Sequence, residues 1–320
     1  MSQLISICIP TCDRPDLLKE AVLSCYAQTY RPLEIIVGDD SHNNRSDAVL
    51  GGIATDPTIE LRYHKNHPPL GQAGNVEDLF KRARGERLVL LHDDDLLLPD
   101  AIENLVNCWT SYPELTAAFG KQYMISVTGE LGQTESDYLN SVFFRTKDKV
   151  GLQNCAVESA LLQQFPNDGY MIRSDIAKRV PLRGRSQVGD ATDFDFGIGV
   201  ALEGGSFYFV NKYICKYRRT PGSISTTAVN VEYMFPIVQD LQVPREAEHA
   251  RDFVLKRMAP FYVKKLALRR QKVRALKVLF GQYFDRRLLY SQTGLVLLGQ
   301  ILVPGLDPAL QKIRKILSRR

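Results

Sequence analysis

The chain has 320 residues, 44% hydrophobic and 24% charged, which provides enough apolar sequence for a large folded core and excludes a generally disordered protein. Its net charge of +5 is unevenly divided, because residues 1–244 carry −8 and residues 245–320 carry +13. The six cysteines have neither paired nor metal-type spacing, so we expect reduced thiols and a cytoplasmic protein. We expect no signal peptide, and no apolar run is long enough to indicate a membrane span.

The first ninety residues alternate between apolar, strand-like runs and amphipathic segments. Strands are predicted at 4–9, 33–37, 61–63 and 88–91, and helices at 13–28, with Asp13 as its cap, and at 75–83. Strands that alternate with helices at this pitch predict an α/β fold with a mostly parallel central sheet flanked by helices.

Acidic residues directly follow two of the predicted strands. They are Asp39 and Asp40 after the second strand and Asp93, Asp94 and Asp95 after the fourth. The carboxyl ends of parallel strands are where such sheets bind ligands, and grouped carboxylates suit a divalent cation, which in turn suits a diphosphate. The alternative is a solvated acidic turn ahead of a helix that begins near Pro99.

The elements predicted beyond residue 98 are less regular. They are a helix at 99–109, strands at 117–120 and 123–125 in a more antiparallel arrangement, a helix at 198–202, and strands at 207–210 and 213–217. The polar stretch 129–150 is predicted to be a mobile loop near a substrate.

Five motifs occur in a characteristic order along the first 225 residues. They are residues 9–15 (IPTCDRP), 34–41 (EIIVGDDS), Gly85-Glu86 ahead of His92-Asp93-Asp94-Asp95 and Pro99, 192–195 (TDFD), and 217–219 (YRR) with Ser223 and Ser225. In this order they resemble the family 2 glycosyltransferases, which have the GT-A fold. The resemblance implies an inverting enzyme that transfers a sugar from a nucleoside diphosphate and uses Mn²⁺ or Mg²⁺.

The resemblance also implies roles for the residues that would bind the nucleotide. The turn at Pro10 and Thr11 is expected to contact the nucleotide, with Thr11 bonded to the base or ribose and Arg14 nearby. Asp39 is expected to accept the imide N–H of uracil or thymine, which favours a UDP-sugar or dTDP-sugar donor. The alternative for Asp39 is an acid that caps a turn or helix.

The family's metal motif aligns with residues 92–95. Asp94 is expected to be the principal metal ligand and Asp93 to contact the ribose or a metal-bound water, whereas His92 stands where the family often has aspartate. The cation would neutralise charge on the departing nucleoside diphosphate.

Asp193 aligns with the family's general base, which takes the proton of the attacking acceptor hydroxyl. Thr192 replaces the acid that usually precedes it, and Asp190 and Asp195 are the alternatives. Arg219 is expected to pair with phosphate oxygens. A solvated edge strand is the alternative there. Thr220 stands where the family often has a histidine.

The last quarter of the chain is predominantly helical in pattern and rich in lysine and arginine. We predict a glycosyltransferase domain at 1–230 and a helical, basic C-terminal region at 231–320. The positive charge predicts contact with an anionic membrane surface, aided by the apolar stretch 293–303 and the amphipathic stretch 310–320. Packing on the catalytic domain and homo-oligomer formation are the alternatives, and no nucleic-acid partner is expected because no recognition motif accompanies the charge.

The sequence therefore predicts sugar transfer from UDP-sugar or dTDP-sugar to a hydroxyl of a glycan or lipid-linked acceptor, in cell-surface polysaccharide synthesis at the inner face of the membrane. The first alternative is a catalytically inactive binding or scaffold protein of the same fold at the membrane. The second is a nucleotidyltransferase, which would normally carry a glycine-rich, basic loop after the first strand, where this chain has Pro10-Thr11-Cys12-Asp13.

Overall fold

The computed structural model describes residues 3–219 and 231–303. These residues fall into two compact units, with the division between residues 227 and 228. The assignment of domains to 1–230 and 231–320 stays a prediction. The amphipathic stretch 310–320 and the motif residues Thr220, Ser223 and Ser225 lie outside the described residues.

The first unit begins with the alternating strands and helices that the sequence predicts. Its strands are β1 (Ile5–Thr11), β2 (Leu33–Asp39), β3 (Ile59–Lys65) and β4 (Arg87–Leu90), and its first helices are α1 (Pro15–Tyr26), α2 (Arg45–Leu50) and α3 (Gly71–Arg82). These four strands are parallel and lie in the order β3-β2-β1-β4. The predicted α/β fold with a mostly parallel sheet is confirmed.

Six further strands extend the sheet: β5 (Leu96–Leu97), β6 (Ala117–Ile125), β7 (Leu131–Gly132), β8 (Gly151–Leu152), β9 (Met171–Arg173) and β10 (Phe207–Arg218). The order continues from β4 as β9-β6-β10-β5. Strand β9 is antiparallel to both of its neighbours, whereas β6 and β10 are parallel to each other.

The helices of this part are α4 (Ala101–Ser111), α5 (Gln133–Val142), α6 (Ala156–Leu161), α7 (Ser174–Arg179), α8 (Arg185–Val188) and α9 (Thr192–Leu202), with a 3₁₀ turn at Lys147–Lys149. They enclose a core that is continuous with β1 and β2, whose residues are buried on both faces of the sheet. Strands buried on both faces consist of near-continuous apolar residues, which is why these runs were recognisable in the sequence.

Several sequence-based boundaries are wrong for identifiable reasons. Helix α1 begins at Pro15 rather than Asp13, because Asp13 adopts a left-handed conformation with φ of 56°. The two strands predicted between 207 and 217 are one strand, β10, interrupted by register shifts against β6. The two predicted at 117–125 are likewise one strand, antiparallel only to its partners β9 and β7.

The prediction of a loop at 129–150 is also wrong, because α5 occupies residues 133–142. The buried side of this helix is polar. Ser136 Oγ accepts the N–H of Met124 at 2.8 Å, and the Asn140 amide exchanges hydrogen bonds with the backbone of Gln122 at 3.1 and 2.9 Å.

The second unit is helical, as predicted. Its helices are α10 (Val231–Asp240), α11 (Glu248–Leu268), α12 (Lys272–Leu279), α13 (Arg286–Leu289) and α14 (Gln292–Leu302), with a 3₁₀ turn at Arg245–Ala247. Among the described residues, no helix combines the length and apolar character needed to cross a membrane.

Candidate active site

The carboxyl ends of β1, β2 and β4 lie side by side and bring their polar residues together. Thr11 is level with Asp39 across β1 and β2, and the chain after β4 continues alongside β1, where the N–H of Leu91 bonds to Cys8 O at 3.0 Å. Asp93 follows two residues later. The residues that the sequence predicts at three separate strand ends therefore occupy one edge of the sheet.

Thr11 and Asp93 are directly hydrogen-bonded. Thr11 Oγ1 donates to Asp93 Oδ2 at 2.7 Å, and both residues are buried. Burial raises the pKa of Asp93, against the opposing effect of the Thr11 hydroxyl and the Arg14 guanidinium. The carboxyl end of β1 is thus fixed to the metal motif after β4.

Arg14 joins the two carboxylates of this motif. Its Nη1 lies 3.3 Å from Asp93 Oδ1 and 3.0 Å from Asp94 Oδ2. The Arg14 side chain is 44% exposed, whereas that of Asp94 is only 13% exposed. A guanidinium therefore supplies positive charge at the place where the sequence predicts a divalent cation.

Asp39 is completely buried at the end of β2 and is surrounded by donors. Oδ1 accepts from the N–H and hydroxyl of Ser41, and Oδ2 accepts from Tyr63 OH at 2.7 Å and Lys65 Nζ at 3.1 Å. Burial alone would raise the pKa of Asp39, but these donors outweigh it and hold the pKa below its ordinary value. Both carboxylate oxygens are engaged within the chain, which leaves little free acceptor capacity for a base.

Asp193, on the first turn of α9, lies within electrostatic reach of His92. Burial raises the pKa of Asp193, and the nearby His92 opposes the rise. Burial would lower the pKa of His92, but the carboxylates of Asp168, Asp193 and the metal motif raise it above its ordinary value. The structure thus brings the predicted base close to the metal motif.

The two alternative bases are held by arginines. Asp195 is buried and accepts a bidentate pair from Arg183, with Nε at 2.7 Å from Oδ2. Asp190 lies 3.0 Å from Arg185 Nε. Both carboxylates are therefore engaged by guanidinium groups, and the assignment of the base to Asp193 stays a prediction.

Asp168 was not singled out in the sequence, although it lies beneath the metal motif. It is fully buried, accepts from Gln122 Nε2 at 3.1 Å and lies beside Asp95. Burial, followed by the charge of Asp168, raises the pKa of Asp95 well above its ordinary value. The only sequence signal is an Asp-Gly pair at a turn, where Gly169 adopts φ of 69°.

His92, Asp95 and Asp168 also form a group that could hold a metal ion. One ligand atom from each lies within 4.8 Å of the others, and the two aspartates are buried. These three side chains form a second candidate metal site, adjacent to Asp94.

The two arginines at the end of β10 differ in their surroundings. Arg218 is buried: its N–H bonds Asp95 Oδ1 at 2.6 Å, and its guanidinium bonds Asp94 O at 2.8 Å and Glu20 Oε2 at 2.6 Å. Arg219, predicted to pair with phosphate, is exposed, and its N–H bonds Ile125 O at 2.9 Å. Arg218 therefore holds the backbone of Asp94 and the side chain of Asp95 in place.

The sequence profile described as "Glycosyl transferase family 2" matches residues 6–163, which contain the first three of these motifs. The chain is a family 2 glycosyltransferase. The predicted family and enzyme class are confirmed. The chain is also similar to several known proteins.

Two curated relatives show how far the similarity extends. A GalNAc(5)-diNAcBac-PP-undecaprenol beta-1,3-glucosyltransferase from Campylobacter jejuni is 33% identical over 102 residues, covering 32% of this glycosyltransferase and 33% of the relative. Glycosyltransferase GlyG from Streptococcus pneumoniae is 24% identical over 252 residues, covering 75% of this chain and 78% of the relative. The first match spans a third of the relative's length.

Two solved structures share the fold. The 1–349 fragment of S. aureus TarS in complex with UDP has a TM-score of 0.61 at 15% identity, covering 93% of this chain and 88% of the fragment. Mannosyltransferase PcManGT from Pyrobaculum calidifontis, in complex with GDP-Man and Mn²⁺, has a TM-score of 0.57 at 16% identity. The match covers 94% of this chain and 86% of the mannosyltransferase. These likenesses confirm the predicted fold class.

Proposed function

We propose that this glycosyltransferase moves a sugar, with inversion, from a UDP-sugar or dTDP-sugar to a hydroxyl of a glycan or lipid-linked acceptor in cell-surface polysaccharide synthesis. The observation that carries the proposal is the connected set of Thr11, Arg14, Asp93 and Asp94 at the carboxyl ends of β1 and β4. This edge of a parallel sheet is where open α/β folds bind nucleotides. In this proposal residues 1–230 form the catalytic domain and residues 231–320 contact a membrane.

The nucleotide would lie against Pro10, Thr11 and Asp39. Binding of the uracil or thymine imide to Asp39 requires that one donor release an oxygen, and Lys65, at 3.1 Å, is the more distant of the two donors on Oδ2. The base would then replace one charge-assisted hydrogen bond with another. A TarS fragment of the same fold binds UDP, which supports this donor class.

The donor set at Asp93 and Asp94 fits Mn²⁺ or Mg²⁺, because these ions prefer carboxylate oxygens. Asp94 would hold the ion, with Asp93 close by, and the unpartnered Nε2 of His92 adds a nitrogen donor to the same region. When bound, the ion would neutralise negative charge on the leaving diphosphate. Arg14 must then leave its present position, and its exposed side chain can turn towards a phosphate; Arg219 would approach the diphosphate from the end of β10.

Asp193 would accept the proton of the acceptor hydroxyl. Its pKa is raised by burial, which makes its ionised form a stronger base than an exposed aspartate. Asp195, two residues further along α9, forms a bidentate pair with Arg183 and so fixes the first turn of the helix that carries Asp193.

A lipid-linked acceptor is supported by the Campylobacter relative, whose name specifies a diphosphate-linked undecaprenol glycan. The basic second unit supports it independently, because its described residues include 13 Lys and Arg against six Asp and Glu. Anionic lipid would attract such a surface.

Calorimetric titration with UDP, dTDP, GDP and CMP, each with and without Mn²⁺, tests the proposal. We expect UDP or dTDP to bind in a Mn²⁺-dependent manner, and Asp94→Asn to lose this dependence because the ion loses its principal ligand. Asp100→Asn, at the exposed start of α4, is the matched control and should bind like the natural chain. Absence of binding by all four nucleotides would overturn the enzymatic proposal.

A further inference from the structure

The second unit contains an open cleft of about 340 Å³ that has no part in the site described above. Residues of α10, α11 and α12 and of the segment after α12 line it. The side chains that give it its character are Phe235, Tyr262, Tyr283, Arg274, Lys277 and Gln282.

Three aromatic rings form a corner inside this cleft. Phe235 and Tyr262 are 1% and 4% exposed, and their rings stack with centroids 4.5 Å apart and planes at 19°. Tyr283 stands almost perpendicular to Phe235, with centroids 6.4 Å apart and planes at 80°. The first two rings are a rigid floor, and the half-buried ring of Tyr283 is a wall.

Two cations lie beside this aromatic corner. Arg274 and Lys277 are three residues apart on α12 and therefore share one face of that helix. Arg274 is held in place, because Nη2 donates to Tyr262 OH and Nη1 to Gln271 Oε1, both at 3.1 Å. None of the nine described residues that line the cleft is acidic. Neighbouring like charges destabilise a helix, so an anion in the cleft would be favourable.

We propose that the cleft binds a phosphate-bearing saccharide. The apolar C–H face of a sugar ring would pack on Tyr283, its hydroxyls would pair with the amides of Gln239 and Gln282, and the phosphate would bind Lys277 and Arg274. A purely apolar ligand would leave both cations unpaired, whereas a bare phosphate would leave the aromatic wall without a partner. As a subsite for the acceptor the cleft rests on the proposed function, but its binding of the ligand does not.

Titration of the full chain with glucose 1-phosphate, in the presence of saturating UDP and Mg²⁺ to block the donor site, tests the proposal. Glucose 1-phosphate should bind at least about tenfold more tightly than glucose or inorganic phosphate, because only it uses both halves of the cleft. Lys277→Gln and Tyr283→Ala should each weaken binding by about fivefold or more, since each removes one of the two contacts. Lys256→Gln, an exposed lysine of α11 outside the cleft, is the matched control.

A second arm distinguishes a lipid-linked source from a free one. It uses a prenyl-diphosphate-linked N-acetylglucosamine in detergent micelles, with empty micelles as the blank. Tighter binding than that of glucose 1-phosphate, still sensitive to Lys277→Gln, indicates a lipid-linked ligand, and equal affinity indicates a soluble one.

Three results would overturn the inference: equal affinity for glucose 1-phosphate and phosphate, indifference to both cleft variants, or a second equivalent of UDP that binds in the cleft. The proposed function has a separate criterion, because Mn²⁺-dependent UDP binding by the first unit is measured without a saccharide. Failure of one therefore leaves the other standing.

Discussion

Asp193 is the residue on which the proposed chemistry depends most directly. Replacing it with asparagine removes the proton acceptor while preserving shape, so kcat should fall by about 10²- to 10⁴-fold with UDP affinity unchanged. Turnover and calorimetric UDP binding, measured on the same preparation, check this. Because the base must be ionised and burial raises the pKa of Asp193, activity should fall on acidification at a pH above that of an exposed aspartate.

Asp190→Asn provides the control for that substitution. Asp190 lies three residues away, paired with Arg185, whose side chain is 85% exposed. The variant should keep nearly full turnover, because the Arg185 side chain is mostly in solvent, which screens this ion pair, and asparagine keeps the shape of the 23% exposed Asp190 side chain. A large loss of turnover in Asp190→Asn, together with an active Asp193→Asn, would transfer the role of base to Asp190.

Residue identities were the most predictable feature of the site and their partners the least. The acids Asp39 and Asp93 follow apolar runs, so their placement at a sheet edge could be inferred from the sequence. The donors to Asp39 from Tyr63 and Lys65 could not, because they come from β3, and only the parallel register of β2 and β3 brings them near. The role of Asp168 could not be predicted for the same reason, because it is distant from residues 92–95 in the sequence and only the folded chain brings it beside Asp95.

At the scale of elements, Glu34 connects several strands of the sheet. It is fully buried in β2 and accepts from Ser6 Oγ, Arg62 Nη1 and Arg84 Nε, each at 2.6 Å. Burial alone would raise the pKa of Glu34, but these donors hold it below the ordinary value of 4.5. Its contribution to stability is therefore present above pH 4.5 and is lost as the pH falls through the lowered value of the folded state.

Glu34→Gln should accordingly cost about 1–2 kcal/mol of unfolding free energy at neutral pH, because a charge-assisted cluster becomes neutral. The cost should shrink on acidification below pH 4.5, as the unfolded natural chain takes up its proton. Urea denaturation of both proteins at neutral and acidic pH measures the difference. The pKa values of Asp93 and Asp193 are raised, so both groups favour the folded state on acidification. This contribution is the same in the natural chain and in Glu34→Gln, and it cancels when their unfolding free energies are compared.

Glu77→Gln serves as the control for Glu34→Gln. Glu77 forms an exposed ion pair with Lys81 on α3 at 2.6 Å, so its removal should change stability little at either pH. A Glu34→Gln cost that stayed constant with pH would mean that packing, rather than ionisation, accounts for the effect of Glu34.

Helix α5 shows where hydrophobic patterning stops predicting elements. The residues it buries, Ser136 and Asn140, are polar and satisfy backbone groups of β6 by hydrogen bonds. The buried side of this helix therefore lacks the apolar periodicity by which helices are predicted. The buried strands β1 and β2 are the opposite case, because their continuous apolar runs predicted them almost completely.

At the scale of the whole molecule, the uneven charge bears on where the enzyme works. The described part of the second unit exposes large apolar side chains among its basic residues, and Val273 and Phe280 are 68% and 67% exposed. These two lie seven residues apart, on one face of α12 and the residue after it. Cations that attract anionic lipid and apolar side chains that enter its surface are the two components of peripheral membrane binding.

The full chain should therefore bind vesicles containing phosphatidylglycerol and should largely fail to bind vesicles of phosphatidylcholine alone. Binding should weaken as salt rises, because screening reduces the attraction of the basic residues. Replacing both Val273 and Phe280 with serine should lower the partition coefficient at least about tenfold, since partial burial of each side chain contributes about 1 kcal/mol. Co-sedimentation measures all three effects.

Tyr138→Ser is the control that distinguishes a specific membrane-binding face from non-specific hydrophobic adsorption. Tyr138 is 72% exposed on α5 of the first unit, so its loss removes an aromatic side chain as exposed as Phe280 from a place that the proposal keeps away from lipid. Equal weakening by Tyr138→Ser and by the double variant would remove the membrane role from the second unit. Loss of vesicle binding confined to the double variant, with Mn²⁺-dependent UDP binding intact, would locate lipid recognition and donor binding in different units. Such a division would let the basic helices hold the enzyme at a lipid surface while the sheet edge of the first unit carries out the transfer.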